Sequence, residues 1–205
     1  MYLRPAFVET DLDRILALVA ANPFGVLVTT ANRPDRAGLD ASHIPFTARR
    51  DGDALVLEAH LAAANPQCAD LGGEALAIFS GPHAYVSSSW YQTQPAVPTW
   101  DYAAAHIHGV LEPVTDDKGL MAMLRDLGSL LDPQGFDFDT VPAKFRDTMM
   151  AGIRGFRLRS TKIEAQWKMS QNRSAADREG VIAALRANGN AEVADLVAAT
   201  MPPAR

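Results

Sequence analysis

Leu12, Ile15, Leu16 and Val19 recur at helical spacing behind Thr10 and Asp13. This pattern predicts a short amphipathic helix, stopped at Asn22-Pro23. From Phe24 to Thr30 the chain turns apolar and β-branched, which is strand composition. A polar loop around Asn32-Arg33-Pro34 follows. Gly38 to Thr47 and Ala54 to Ala59 then predict two more strands about Asp51-Gly52, a dipeptide that tolerates the positive φ of a tight hairpin. His60 to Leu71 reads as a short helical connection that starts anew at Asn65-Pro66 and ends at Gly72-Gly73. Ala75 to Phe79 and Ala84 to Val86 read as strands separated by Gly81-Pro82, and a further strand spans about Tyr102 to Leu111.

Thr115 is placed to cap a helix carrying Leu120, Met123, Leu124, Leu127, Leu130 and Leu131 up to Asp132-Pro133. Gln134 to Pro142 reads as a loop, Ala143 to Met150 as a helix, and Ile153 to Trp167 as a long strand. Beyond Ser174, a plausible N-cap, Val181, Ile182 and Leu185 mark a helix ended by Asn188-Gly189, and Val193, Leu196 and Val197 mark a last one. The tail Pro202-Pro203-Ala204-Arg205 reads as loose. The order is mixed, with antiparallel hairpins dominant: an α+β fold.

A chain of 205 residues with 48% hydrophobic residues suffices for one domain with a substantial core. The formal charge of −5 argues against a free-standing clamp on a nucleic-acid backbone. Cys68 is the only cysteine, so neither an intramolecular disulfide nor a thiolate zinc cage can form, which suits a reducing compartment. The N-terminus lacks the basic-then-apolar order of a secretory signal, and no apolar run approaches the roughly 20 residues of a membrane span. A cytoplasmic location is expected.

Tyr85, Trp90, Tyr91, Trp100 and Tyr102 crowd one stretch together with Ser87, Ser88, Ser89 and Thr99. Rings with polar handles among hydroxyls suit the wall of a site for a flat heteroaromatic ligand, and they equally suit a core cluster or a dimer interface. His106 and His108 lie two apart on a predicted strand and share a face, but no carboxylate completes a metal set, so a satisfied strand pair is the plainer reading. Arg154, Arg157, Arg159 and Lys162 read as a charged strand edge. Trp167-Lys168-Met169-Ser170-Gln171-Asn172-Arg173 packs an aromatic, two cations, a hydroxyl and two amides into seven residues, a dense donor set for a cofactor. Nucleophile-elbow, Walker and Gly-x-Gly-x-x-Gly motifs are absent.

These segments resemble the PaiB family of FMN-binding negative transcriptional regulators. The resemblance is carried by Met1-Tyr2 with Pro5 and Phe7, Ser42-His43-Ile44-Pro45-Phe46, and His60-Leu61-Ala62 with Asn65-Pro66-Gln67. It continues through Gly81 to Ser87, Ser89-Trp90-Tyr91, Val97-Pro98-Thr99-Trp100 with Tyr102, and Trp167 to Arg173. It implies an FMN-binding split β-barrel with peripheral helices over 1–172, and a helical extension over 173–205. It also implies a homodimer with the flavin at the subunit interface. Carried onto this chain, the cofactor-binding residues are Ser42, His43, His60, Asn65, Ser87, Ser89, Trp90, Tyr91, Thr99, Trp100, Trp167, Lys168, Ser170, Gln171, Asn172 and Arg173. Three positions depart from the family pattern: Asp101 stands where Asn is usual, Ser88 for Pro, and Ala63 for a basic residue. A lost cation beside a phosphate removes on the order of 1.5 to 3 kcal/mol.

The function so implied is a flavin-binding regulator or sensor. The alternatives are an FMN-dependent oxidoreductase acting on a small molecule, with His43 and His60 as candidate acid or base, and a haem-binding split barrel. Direct DNA binding is not expected, because the last helix offers Glu192 and Asp195 and no cation to read bases.

Overall fold

A computed structural model describes residues 1–33, 36–135 and 137–201. Pro34 of the polar loop, and the tail from Pro202 to Arg205, lie outside the described residues. In chain order the elements are β1 (Val8–Glu9), α1 (Leu12–Ala21), β2 (Phe24–Arg33), β3 (Arg36–Pro45), β4 (Thr47–Asp51), β5 (Ala54–Ala62), β6 (Glu74–Val86) and β7 (Thr99–Val114). There follow α2 (Asp117–Leu131), α3 (Ala143–Ala151), β8 (Ile153–Lys168), α4 (Ala175–Ala187) and α5 (Ala191–Ala199). Single 3-10 turns occupy Pro5–Phe7, Pro66–Asp70, Ser88–Trp90 and Phe138–Thr140. The strand order is β3-β2-β6-β7-β8-β5-β4, with β1 antiparallel to β8.

Two compact units make up the chain. The first comprises Met1–Thr10, Ser80–Ala105 and Glu164–Arg205, and the second Asp11–Phe79 and His106–Ile163, so β6, β7 and β8 each contribute residues to both. The second unit buries Phe46 edge-on against Phe79 and Phe156, with ring centroids 5.3 and 6.3 Å away. In the first unit α4 and α5 form a hairpin, and the buried Arg178 donates to Val197 O at 3.2 Å and to the Thr200 hydroxyl, capping the end of α5.

Several sequence expectations shift. Asp11, not Thr10, caps α1, accepting from Asp13 N at 2.9 Å. Asp51 stays paired with Ala54, so the hairpin turns at Gly52 and Asp53, with Gly52 at φ +62. The helix expected from His60 is a strand end and one 3-10 turn. β5 continues to Ala62 because its ladder with β8 runs to Ala62↔Ile153, and those bonds outweigh the helix propensity of the alanines. Asn65 caps the turn, its side chain accepting from Gln67 N at 2.9 Å.

The two strands expected about Gly81-Pro82 are one, β6. Its pairing with β2 runs from Ala75 to Ile78, so Pro82 falls where β2 asks for no N–H. Asp116 rather than Thr115 caps α2, and Leu130 and Leu131 are exposed. The basic run is not a sheet edge: β8 lies between β7 and β5. There Arg157 pairs with Glu58 at 2.5 Å and Arg159 with Asp51.

Candidate functional site

In the first unit, segments far apart in sequence meet. Ser87 caps the 3-10 turn Ser88–Trp90, accepting from Ser89 N at 3.2 Å, while its hydroxyl also lies 2.9 Å from that of Ser89. A Cβ at Gly180 of α4 would collide with the Trp90 carbonyl, so the missing side chain lets the helix back this turn. Next to Trp90, the buried Tyr91 ring lies under the Arg173 guanidinium, 4.2 Å from its centroid. Burial pushes the Tyr91 hydroxyl's pKa up, with Arg173 acting the other way. Asp177 accepts from Thr93 N at 2.8 Å, and that bond holds its carboxyl below the usual range.

The segment Trp167 to Arg173 spends much of its donor set on itself. The Gln171 side chain accepts from Met169 N and donates to Trp167 O, both at 2.6 Å. Ser170 is buried at φ +57, left-handed for a non-glycine residue. Its hydroxyl donates at 2.7 Å to Asp101, which is 0% exposed. Lys168 donates to Thr99 Oγ1 at 2.5 Å and to Trp100 O, and lies 3.4 Å from Asp101. Burial raises the pKa of Asp101, and the Ser170 hydrogen bond and Lys168 oppose that shift. Asp101 therefore faces inward, fastened to this turn.

Outward, Trp100 is 48% exposed, stacks on His83 at 5.7 Å, and meets Tyr85 edge-on at 6.2 Å. Asn172 is exposed, and Trp90 and Arg173 are half-buried. The available chemistry is thus one guanidinium, two hydroxyls, one amide and two indole surfaces. This set fits a planar phosphorylated ring. Trp167 is buried, and Trp167, Lys168, Ser170 and Gln171 serve to shape the turn.

Ser42, His43, His60 and Asn65 belong to the second unit. Asn65 donates to the Ser42 hydroxyl at 3.0 Å. His43 is exposed, 6.0 Å from the Phe24 ring. His60 lines a cavity beneath α2 and α3, and burial lowers its pKa. His106 and His108 share the half-buried face of β7. Sequence reasoning missed His83, Asp177 and Gly180. Asp177 gave a signal, three residues beyond the capping Ser174, and His83 lies inside the Gly81 to Ser87 block.

Residues 1–162 match the model of a family described as "Putative FMN-binding domain". The chain is 33% identical over 199 residues to "Protease synthase and sporulation protein PAI 2" of Bacillus subtilis, covering 93% of this chain and 91% of that one. Among solved structures, the flavocytochrome Anf3 of Azotobacter vinelandii superposes with a TM-score of 0.59 at 15% identity, over 81% of this chain and 72% of that one. The FAD and heme binding protein of Mycobacterium smegmatis gives 0.56 at 20%, over 78% and 73%. These likenesses establish the split-barrel fold.

Proposed function

Because the chain belongs to the PaiB-like family of FMN-binding domains, we propose that it is a flavin-binding regulator or sensor that holds FMN on its first unit and works as a homodimer. The observation that carries this reading is the joining of Ser87–Tyr91 to Trp167–Arg173 through the Arg173–Tyr91 stack. FMN, when bound, supplies an electron-accepting planar ring and a phosphate dianion.

For the dianion, Arg173 offers a planar fork of donors held over Tyr91, and Ser87 and Ser89 of the turn that leads into Tyr91 offer hydroxyls. For the ring, Trp90 and Trp100 offer indole surface, and Asn172 an amide for the polar rim. Lys168 is engaged by oxygens of its own chain, so its part is to hold Thr99 and Trp100 in place. The partner copy contributes Ser42, His43 and Asn65, and the exposed Tyr85, Val97 and Trp100 favour such a partner. The last helix, α5, presents Glu192 and Asp195 and no Lys or Arg, which favours an indirect mode of regulation over base reading by this chain.

The test is the absorbance of freshly purified protein between about 350 and 500 nm, followed by an FMN titration. One FMN per chain is expected, with Arg173→Ala weakening it by about tenfold or more, the equivalent of one charge-assisted hydrogen bond. Absence of flavin binding sinks the proposal. Steady consumption of reduced nicotinamide by the loaded protein would reassign it as an oxidoreductase, and a gel shift surviving excess nonspecific DNA would overturn the indirect mode of regulation.

A further inference from the structure

The loop from Ser88 to Ala96 joins the two segments of the first unit that offer indole surface, the Trp90 turn and the start of β7 at Trp100. By itself the Trp90 turn is weakly held. Trp90 N donates to Ser87 O at 3.2 Å and Tyr91 N to Ser88 O at 3.4 Å, long bonds of the poor geometry that keeps 3-10 turns short.

Gln94 supplies what the turn lacks. Its Nε2 donates to Ser88 O at 3.0 Å and to Tyr91 O at 3.2 Å, and its Oε1 accepts from Ala96 N at 3.1 Å. Both amide protons are thus used on the turn, and the amide oxygen on the residue that leads into Val97 to Trp100. From behind, α4 fixes the same loop at two points of one helix face. Asp177 accepts from Thr93 N at 2.8 Å, and Gly180, three residues on, leaves room for the Trp90 carbonyl. Gln94 itself is exposed. An exposed glutamine is ordinarily solvated and free to change rotamer, so three backbone bonds from one amide mark a side chain that orders the loop.

We propose that Gln94 is a positioning residue for the flavin: it fixes the loop in advance, so that Trp90 and Trp100 meet the ring at a set spacing, and it does not touch the ligand. This inference rests on the flavin reading above. A loop ordered beforehand removes an entropic penalty of binding, whereas a loop ordered only part of the time lowers the apparent affinity by the competent fraction.

The experiment compares the full chain with Gln94→Met, which keeps the side-chain length and removes all three bonds, and with Gln94→Glu, which keeps the acceptor for Ala96 N and sets a carboxylate against two carbonyls. Rapid mixing of each flavin-free protein with FMN gives the association and dissociation rates. Both variants are expected to bind FMN about three- to tenfold more weakly, as the loss of neutral hydrogen bonds provides, with Gln94→Glu at least as weak as Gln94→Met. The loss should fall in the association rate, and the melting midpoint of the flavin-free variants should stay within about 2 °C of the parent, as at other exposed positions. Unchanged affinity in both variants, a loss confined to the dissociation rate, or a loss matched by a lowered melting midpoint would each overturn the proposal and leave the flavin reading intact. A parent chain that takes up no FMN would remove both.

Discussion

Asp101 gives up all exposure to water, and what it receives is the Ser170 hydroxyl and a Lys168 ammonium. From sequence it reads as a carboxylate that would repel a phosphate; in the fold it faces inward and fastens the turn that ends β8. Asp101→Ala leaves the buried Ser170 hydroxyl without its acceptor, while Lys168 keeps Thr99 and Trp100, and should cost about 1 to 3 kcal/mol in urea unfolding. Asp101→Asn keeps an acceptor for Ser170 and tests the charge. Because burial raises the folded pKa above the ordinary carboxylate value, the carboxyl's contribution is full below that value and is lost as pH rises through the folded pKa. The stability of the parent relative to Asp101→Asn should therefore fall as pH rises above the ordinary carboxylate range, and a flat difference would remove the desolvation argument. Ser170 adds a cost of its own, a left-handed φ without glycine, which its bond to Asp101 helps offset.

At the level of elements, close approaches decide more than propensities do. α4 presents Gly180 to the Trp90 carbonyl, and β7 presents Gly109 to the Arg159 carbonyl and the Leu158 side chain. In both cases the obstacle is backbone, which cannot rotate away. Gly109→Ala should cost about 1 to 3 kcal/mol by overpacking, read as a lowered melting temperature. Gly180→Ala should cost a similar amount and also weaken FMN in the titration, since it displaces the Ser88–Trp90 turn. A destabilised protein with unchanged flavin affinity would separate that turn from the site. Helix starts were legible to within a residue or two because capping is local chemistry: Ser174 accepts from Asp177 N as its position suggests. β5 reads short in sequence because its ladder with β8, contributed from far along the chain, overrides the local alanine signal, and β6 reads as two strands because Pro82, which lies beyond the pairing with β2, needs no N–H there.

For the molecule as a whole, the homodimer is the expectation with the plainest measurement. Sedimentation should give twice the chain mass, and Trp100→Glu should shift the balance to monomers without lowering the far-ultraviolet helix and strand signal, because Trp100 is exposed within its own chain. A monomeric parent protein would remove the partner's share of the flavin site. No helix among the described residues is long and apolar enough to cross a membrane. The order of residues was sufficient to determine most helices and strands and the helix pair at the end, because each depends on neighbours a few positions apart, while the flavin family was legible as a resemblance of whole segments. Only the tertiary structure decided that Lys168 and Gln171 are consumed internally, that Asp101 points inward, that Arg173 covers Tyr91, and that His60 sits with α2 and α3 in the second unit. Partners sixty or more residues away settle the outcomes for Lys168, Asp101 and Arg173, Gln171 turns back on Met169 and Trp167 in its own segment, and no local pattern encodes which of several donors will be saturated first.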